Sequence, residues 1–294
     1  MTVDTRSPNR SFSVSPLRRR SRTVRTLQYL ALAGFVLFLG FPLLWLLSDA
    51  FKTSHELVSL HPTLWPRNPT VSNFAQAFKQ QNLVQAAWNS LQVSVAASVL
   101  VTVVSVPAAY GLVRYRTVLR KLSIAWILIS QVFPVILVVV PLFLILQKAQ
   151  LGNTLIGLVI AYVVWLLPFA LWMLQSHVRA IPVELEESAS VDGAGKLRIL
   201  TQVVLPLLLP GIAVTAMFSF ISAWNEFFFA LVLLESPSLS TLPLTLERFV
   251  GSEGQVSLGP LAAGALLATL PGLLVFAVLQ RRISSGMLSG AVKG

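Results

Sequence analysis

ELEESASVDGAGKLRILTQVVLP, residues 184–206, gathers Glu184, Glu186, Glu187, Asp192, Lys196 and Arg198 into one short interior segment of a chain that is 55% hydrophobic and only 11% charged. The segment opens like a helix. Good helix formers follow Pro182, which suits a first turn, and three glutamates stand near the positive end of the helix dipole. Gly193 follows Asp192, where the backbone can take a conformation that other residues resist. A second helical pattern, LRILTQVVL, leads to a stop at Pro206. Val183, Ala189 and Val191 mix with the acids, so one face is apolar enough to dock. The pattern predicts a short helix, a turn and a second helix. From the residues alone, such an element is either a knob reaching toward a soluble partner or an amphipathic loop lying on lipid headgroups.

The sequence on either side is apolar on the scale of a bilayer, and the mean hydropathy is +0.76. Stretches near Leu27–Leu47, Trp88–Leu112, Leu122–Leu146, Leu155–Leu174, Leu207–Leu234 and Leu261–Leu279 match or approach the length that crosses ~30 Å of hydrocarbon at 1.5 Å per residue. Helices satisfy their own backbone groups in lipid, so the expected fold is an all-α integral membrane protein with six transmembrane helices. Six crossings place both termini on one side. That side carries 17 of the 22 Lys and Arg residues, which makes both termini and the 184–206 segment cytosolic by the positive-inside rule. The net charge of +11 therefore reports topology, not nucleic-acid binding.

Four regions follow. Residues 1–26, with the basic run LRRRSRTVR, read as a disordered cytosolic tail. Residues 27–85 hold the first transmembrane helix and an extracytoplasmic loop, whose HPTLWPRNPTVSNFAQAF reads as an ordered cap. The apolar stretch from Leu27 lacks a clear cleavage site and is expected to be retained as an anchor. Residues 86–280 form a five-helix core that includes the loop at 182–206, and residues 281–294 are a flexible cytosolic tail.

The chain has no cysteine, which excludes disulfides and thiolate metal sites. His55, His61 and His177 are scattered without paired-ligand spacing. GAGKL at 193–197 superficially resembles a phosphate loop, but it lacks the earlier glycine and places Leu197 where a magnesium-binding Ser or Thr belongs. No Ser-His-Asp set or carboxylate pair points to an enzyme. Within the spans, Glu226 is the one acid well inside, beside Asn225. A charge at the bilayer centre costs about 2.5–3.5 kcal/mol on insertion scales, so Glu226 should face protein or water. Asn225 and Glu226 either line a pathway, with Trp224 or a nearby Phe offering a ring face, or form a structural pair that satisfies backbone freed by a helix irregularity. Ser130, Gln131, Pro134 and Pro141 predict a kinked third helix. Asn89 and Gln92 are expected to face the bundle interior.

Several motifs together resemble one family. Glu187-Ser188-Ala189, Asp192-Gly193-Ala194 and Val204-Leu205-Pro206 resemble the cytoplasmic EAA loop of binding-protein-dependent ABC importer permeases, with Ser188 in place of the first alanine. NSLQVSVAAS and AAYGLVRYR, FSFISAWNEFFFAL, and FAVLQRRISSGMLSGAVKG resemble the second span, fifth span and C-terminal end of the maltose-type carbohydrate subfamily. The similarity runs from roughly residue 30 to 294.

The resemblance implies a type I ABC importer permease (MetI-like) fold in a bacterial inner membrane. It implies a second homologous permease, a dimer of ATP-binding-cassette ATPase that alone binds ATP and magnesium, an extracytoplasmic solute-binding protein, and a di- or oligosaccharide substrate. Membrane lipid surrounds the subunit, and no cofactor belongs to the chain itself. On the family pattern Glu187, Ser188, Ala189, Asp192, Gly193, Ala194, Leu205 and Pro206 belong to the ATPase-coupling loop, with Glu187, Ala189 and Gly193 as its docking core. Trp224, Asn225 and Glu226 are the expected pathway residues. A polyol, glycerol phosphate or other solute is the alternative substrate. A secondary transporter driven by an ion gradient, or a membrane enzyme, is the alternative class.

Overall fold

The computed structural model describes residues 22–115, 118–251 and 256–291. Contacts divide the chain into residues 1–45 and residues 46–294. Helix α1 (Arg22–Phe51) holds the described residues of the first part, and its last residues, 46–51, count with the second; it begins inside the stretch read as a disordered tail, and residues 1–21 of that tail lie outside the described residues. Its Leu30, Phe35, Phe38 and Leu43 are exposed, as expected of a helix solvated by lipid.

The second part contains α2 (Ser54–Leu57), α3 (Ser72–Gln81), α4 (Leu83–Arg114), α5 (Val118–Val132), α6 (Val135–Lys148), α7 (Leu155–Ala180), α8 (Glu184–Val191), α9 (Lys196–Ile199), α10 (Leu205–Trp224), α11 (Phe228–Leu233), α12 (Leu242–Glu247) and α13 (Leu258–Ala291). A π-helical turn at Leu200–Val204 joins α9 to α10. Among the described residues, five helices are long and apolar enough to cross a membrane, including the continuous run Lys196–Trp224.

The expected third span, Leu122–Leu146, is two helices, not one. Pro134 has no amide to donate and disfavours helical backbone at Phe133, so the chain breaks between α5 and α6. The predicted kink is thus a full interruption. The fifth span also differs from expectation. Helix continues straight through Pro206, where a stop was expected, and ends at Trp224 instead of Leu234. The last helix runs on to Ala291 through most of the segment read as a flexible tail.

Helix α4 is the hub, packing extensively against α7 and α10. Val93, Ala97 and Val101 of α4 meet Leu158, Ala161 and Tyr162 of α7 in one buried cluster. Nearer the other end of both helices, Ala109 and Tyr110 meet Leu174 and Val178. Small residues bring the backbones close. The Ser98 hydroxyl reaches the Ala216 carbonyl of α10 at 2.8 Å, and a Cβ on Gly211 of α10 would lie 2.5 Å from the His177 ring of α7.

The expected cap after α1 is ordered by its own bonds. Thr53 caps α2, Glu56 accepts the Asn68 amide at 2.9 Å, and buried Asn73 donates to the carbonyls of Ala50 and Lys52. Asn89 is buried as expected and holds the Ser238 and Ser240 carbonyls at 2.9 and 3.0 Å. Gln92 is exposed instead.

Candidate functional site

Helix α8 and the turn after it occupy Glu184–Ala194, and their bonding explains the residue pattern. The amide of Gly193 donates to the Ser190 carbonyl and that of Ala194 to the Ala189 carbonyl, each at 3.0 Å. This is a Schellman closure, which needs a left-handed residue at the first position beyond the cap. Gly193 supplies it at φ 82°. Ala189 and Ala194 are half-buried and pack side by side with the cluster containing Ala109, Leu174 and Val178. The two small residues let the turn lie against the transmembrane helices. Glu187, Ser188, Asp192 and Gly193 are exposed, and Val191 and Leu197 stand 88% and 75% exposed beside them. Ala189 therefore faces the chain's own core, while the outward surface mixes the acids and the apolar side chains with the exposed bases Lys196 and Arg198.

A second feature fixes this loop, and it uses a glutamate that the sequence pattern did not single out. Glu186 is buried. Its Oε1 pairs with Arg114 Nε at 2.7 Å and its Oε2 accepts from the Tyr110 hydroxyl at 2.8 Å. The same guanidinium donates through Nη2 to the Val178 and Ile181 carbonyls at 3.2 and 2.8 Å. Those carbonyls end α7, where the last groups of a helix lack internal partners and favour a cation. On the other arm, Lys196 Nζ sits 5.1 Å above the Tyr115 ring.

The return from the loop enters the membrane helix through the π turn. Leu205 N–H bonds the Leu200 carbonyl, five residues back. The wider turn gives the Pro206 ring room that an α-helical carbonyl four residues earlier would deny. Leu205 is half-buried and Pro206 exposed.

At the far end of α10, Trp224, Asn225 and Glu226 are adjacent in sequence but not alike in setting. Trp224 is buried, stacked on Phe220, with its indole N–H 3.0 Å from the Ala268 carbonyl. It faces the chain's interior, away from the exposed Asn225, whose Nδ2 donates back to the Ile221 carbonyl at 2.8 Å. Glu226 lies in the break between α10 and α11. Its carboxylate accepts the Phe229 amide at 3.0 and 3.1 Å and the Ala230 amide at 3.3 Å, binding the open start of α11. Phe229, whose amide this carboxylate holds, packs edge-on against the buried Tyr162 ring of α7, with centroids 6.3 Å apart. Among the described residues, no group of His, Asp and Glu side chains is arranged to hold a metal.

Residues 101–289 match the family model described as "Binding-protein-dependent transport system inner membrane component". The chain belongs to this family. The permease is 55% identical to the putative ABC transporter permease protein ORF1 of Streptomyces antibioticus over 78% of its own length and 99% of that protein's. It is 37% identical to the diacetylchitobiose uptake system permease protein DasC of Streptomyces coelicolor, over 88% and 94%. In fold it is similar to a chain of a bacterial ABC transporter that imports the polysaccharide alginate, with a TM-score of 0.74, 22% identity, and coverage of 91% and 99%.

The permease is thus a non-catalytic, multi-pass membrane subunit of an ABC importer. Of its site residues, sequence reasoning missed Glu186, Arg114 and Tyr110. A signal was present. Tyr110 and Arg114 stand four apart at the end of a span, on one helix face. Glu186 shares helical phase with inward-facing Ala189.

Proposed function

We propose that this permease forms half of the translocation pathway of an ATP-driven importer for di- or oligosaccharides in a bacterial inner membrane. Its loop at 182–206 faces the cytosol and docks a separate ATPase. The observation that carries this reading is the build of the loop. A rigid, core-anchored turn presents Glu187, Ser188, Val191, Asp192 and Leu197 outward, on a surface free to enter a cleft of a soluble partner. Exposed apolar side chains rimmed by charged residues of both signs, here Glu187 and Asp192 with Lys196 and Arg198, are the mark of a protein contact site.

In this reading a homologous permease supplies the other half of the pathway, and a dimer of ATPase subunits binds ATP and magnesium. A solute-binding protein delivers the sugar from the outer side. The sugar class is supported by the relative named for diacetylchitobiose uptake. Asn225, exposed at the break after α10, is the contact offered to sugar hydroxyls. Glu226 shapes that break by holding the start of α11, and Trp224 supports it from behind.

Purification of the permease from its native membrane in mild detergent, followed by mass spectrometry, tests the assembly. Co-purification of an ATPase, a second permease and a solute-binding protein is expected. The binding protein is then titrated calorimetrically with disaccharides, polyols and glycerol phosphate. A chain recovered without an ATPase under conditions that retain the second permease would overturn the docking role of the loop.

A further inference from the structure

Glu186, Arg114 and Tyr110 are unused by the docking surface, yet they form the most heavily bonded polar cluster near the loop. We infer that Arg114 and Tyr110 are positioning residues which, with Glu186, latch α8 to α4 and α7 so that the three move as one body. A displacement of the loop then enters the membrane through α4. The inference rests on the reading of residues 182–206 as an ATPase-docking loop.

Three helix ends meet at one guanidinium. Arg114 closes α4, Glu186 stands in the first turn of α8, and the Val178 and Ile181 carbonyls end α7. Only a planar fork of N–H donors serves a carboxylate and two carbonyls together; an ammonium is a point charge on a flexible stem. The Tyr110 hydroxyl occupies the other carboxylate oxygen, so Glu186 is held through both. Burial excludes water that would compete for these bonds, which makes each stronger and the loss of one costly.

The two attachments of the loop differ in stiffness. Toward α4 and α7 it is latched. Toward α10 it passes through the π turn at Leu200–Val204, and such turns recur at functional positions in helices. Helix α4 is also suited to carry the motion. It packs along α7 and against α10, and near its other end Asn89 and Ser90 hold the segment Ser238–Leu242. That segment follows α11, whose start is held by Glu226.

The test uses the assembled importer in lipid nanodiscs. Because the chain has no cysteine, Glu184→Cys on α8 and Val103→Cys on α4, both at exposed positions, give the only nitroxide sites of this subunit, and the importer is assembled with partner subunits stripped of any cysteine of their own. Their separation is measured by pulsed electron resonance without nucleotide and after trapping with ATP and vanadate. Otherwise unsubstituted protein should give one narrow distance that is the same in both states. Arg114→Lys and Tyr110→Phe should lose this invariance, with the distance broadening or shifting on trapping. A distance that shifts in the unsubstituted latch, or one that stays fixed in both variants, overturns the proposal. Should Arg114→Lys not assemble, Tyr110→Phe, which removes a single hydroxyl, decides alone. If no ATPase accompanies the unsubstituted chain and vanadate traps nothing, the docking-loop reading fails, and the latch fails with it.

Discussion

The Ala194 amide and the Ala189 carbonyl, 3.0 Å apart, close the turn that gives the loop its shape. That bond forms only because Gly193 between them holds φ at 82°. A side chain there strains the backbone by roughly 1–2 kcal/mol, less for Asn, whose side chain tolerates the conformation. Nothing crowds the position itself, since a Cβ on Gly193 would meet no atom within 4 Å. The expected effect is therefore conformational rather than steric. ATPase retained on affinity-purified importer should fall in the order Gly, Asn, Ala, Val at residue 193, while the amount of permease in the membrane stays level. Equal retention by Gly193→Val would show that the turn does not govern docking.

Glu226 and Asn225 should separate by what they change. Glu226→Ala strips the partner from two amides at the start of α11, a loss comparable to removing a helix cap, about 1 kcal/mol. Glu226→Gln keeps an acceptor oxygen and should lose less, so thermal unfolding of the solubilised importer ranks Glu above Gln above Ala. Asn225→Ala breaks one exposed bond to the Ile221 carbonyl and should leave that midpoint unmoved. Its effect should be on transport, lowering solute uptake about fivefold to tenfold, as expected for one lost hydrogen bond to substrate. Uptake unchanged in Asn225→Ala would remove it from the pathway.

How much of this was written in the sequence depends on the range of each interaction. The glycine turn and the short first helix of the loop are local consequences of residues within a few positions, and both were legible; at Pro134 the sequence pointed to a kink, and the structure has a full break. Pro206 misled for an instructive reason. A proline ends an α-helix by its clash with an earlier carbonyl, but a π turn ahead of it removes the clash, and the phase shift of a single five-residue turn is too local to be read from the hydrophobic pattern. Glu186 was hidden among three glutamates because its partners lie 72 and 76 residues away. Trp224 and Asn225 share a sequence signature but diverge in space, because α10 ends between them.

Gly211 and His177 offer a stability test away from the loop. Ring and Cβ atoms of His177 lie 2.5–2.9 Å from where a Gly211 side chain would begin, so the imidazole must shift. Overpacking of this kind costs about 1–3 kcal/mol. Gly211→Ala should lower the unfolding midpoint, and adding His177→Ala should recover part of the loss, since it removes the ring atoms at 2.5 and 2.7 Å and leaves only the Cβ at 2.9 Å to give way. A double variant that is merely the sum of the two single losses would mean the helices α7 and α10 separate instead of the ring moving.

Pro206→Ala poses a contest between two terms. It returns an amide to the helix and frees the chain to convert the π turn into α-helix, a gain of about 1 kcal/mol for one added hydrogen bond. Conversion rotates residues 196–204 by about 100° against α10, the angle per residue of an α-helix. Ile199 is buried in the cluster around Leu174 and Val178, and the rotation would carry it out of that cluster. Its exposure would cost roughly 1.5–3 kcal/mol. Packing outweighs the new bond, so the π turn should persist in Pro206→Ala and transport should continue. Combining Pro206→Ala with Ile199→Ser removes the opposing term, and α-helix should then replace the turn, visible by electron cryo-microscopy as a one-residue shift in register. Conversion in the single variant would mean that the proline, not the packing of Ile199, holds the turn open.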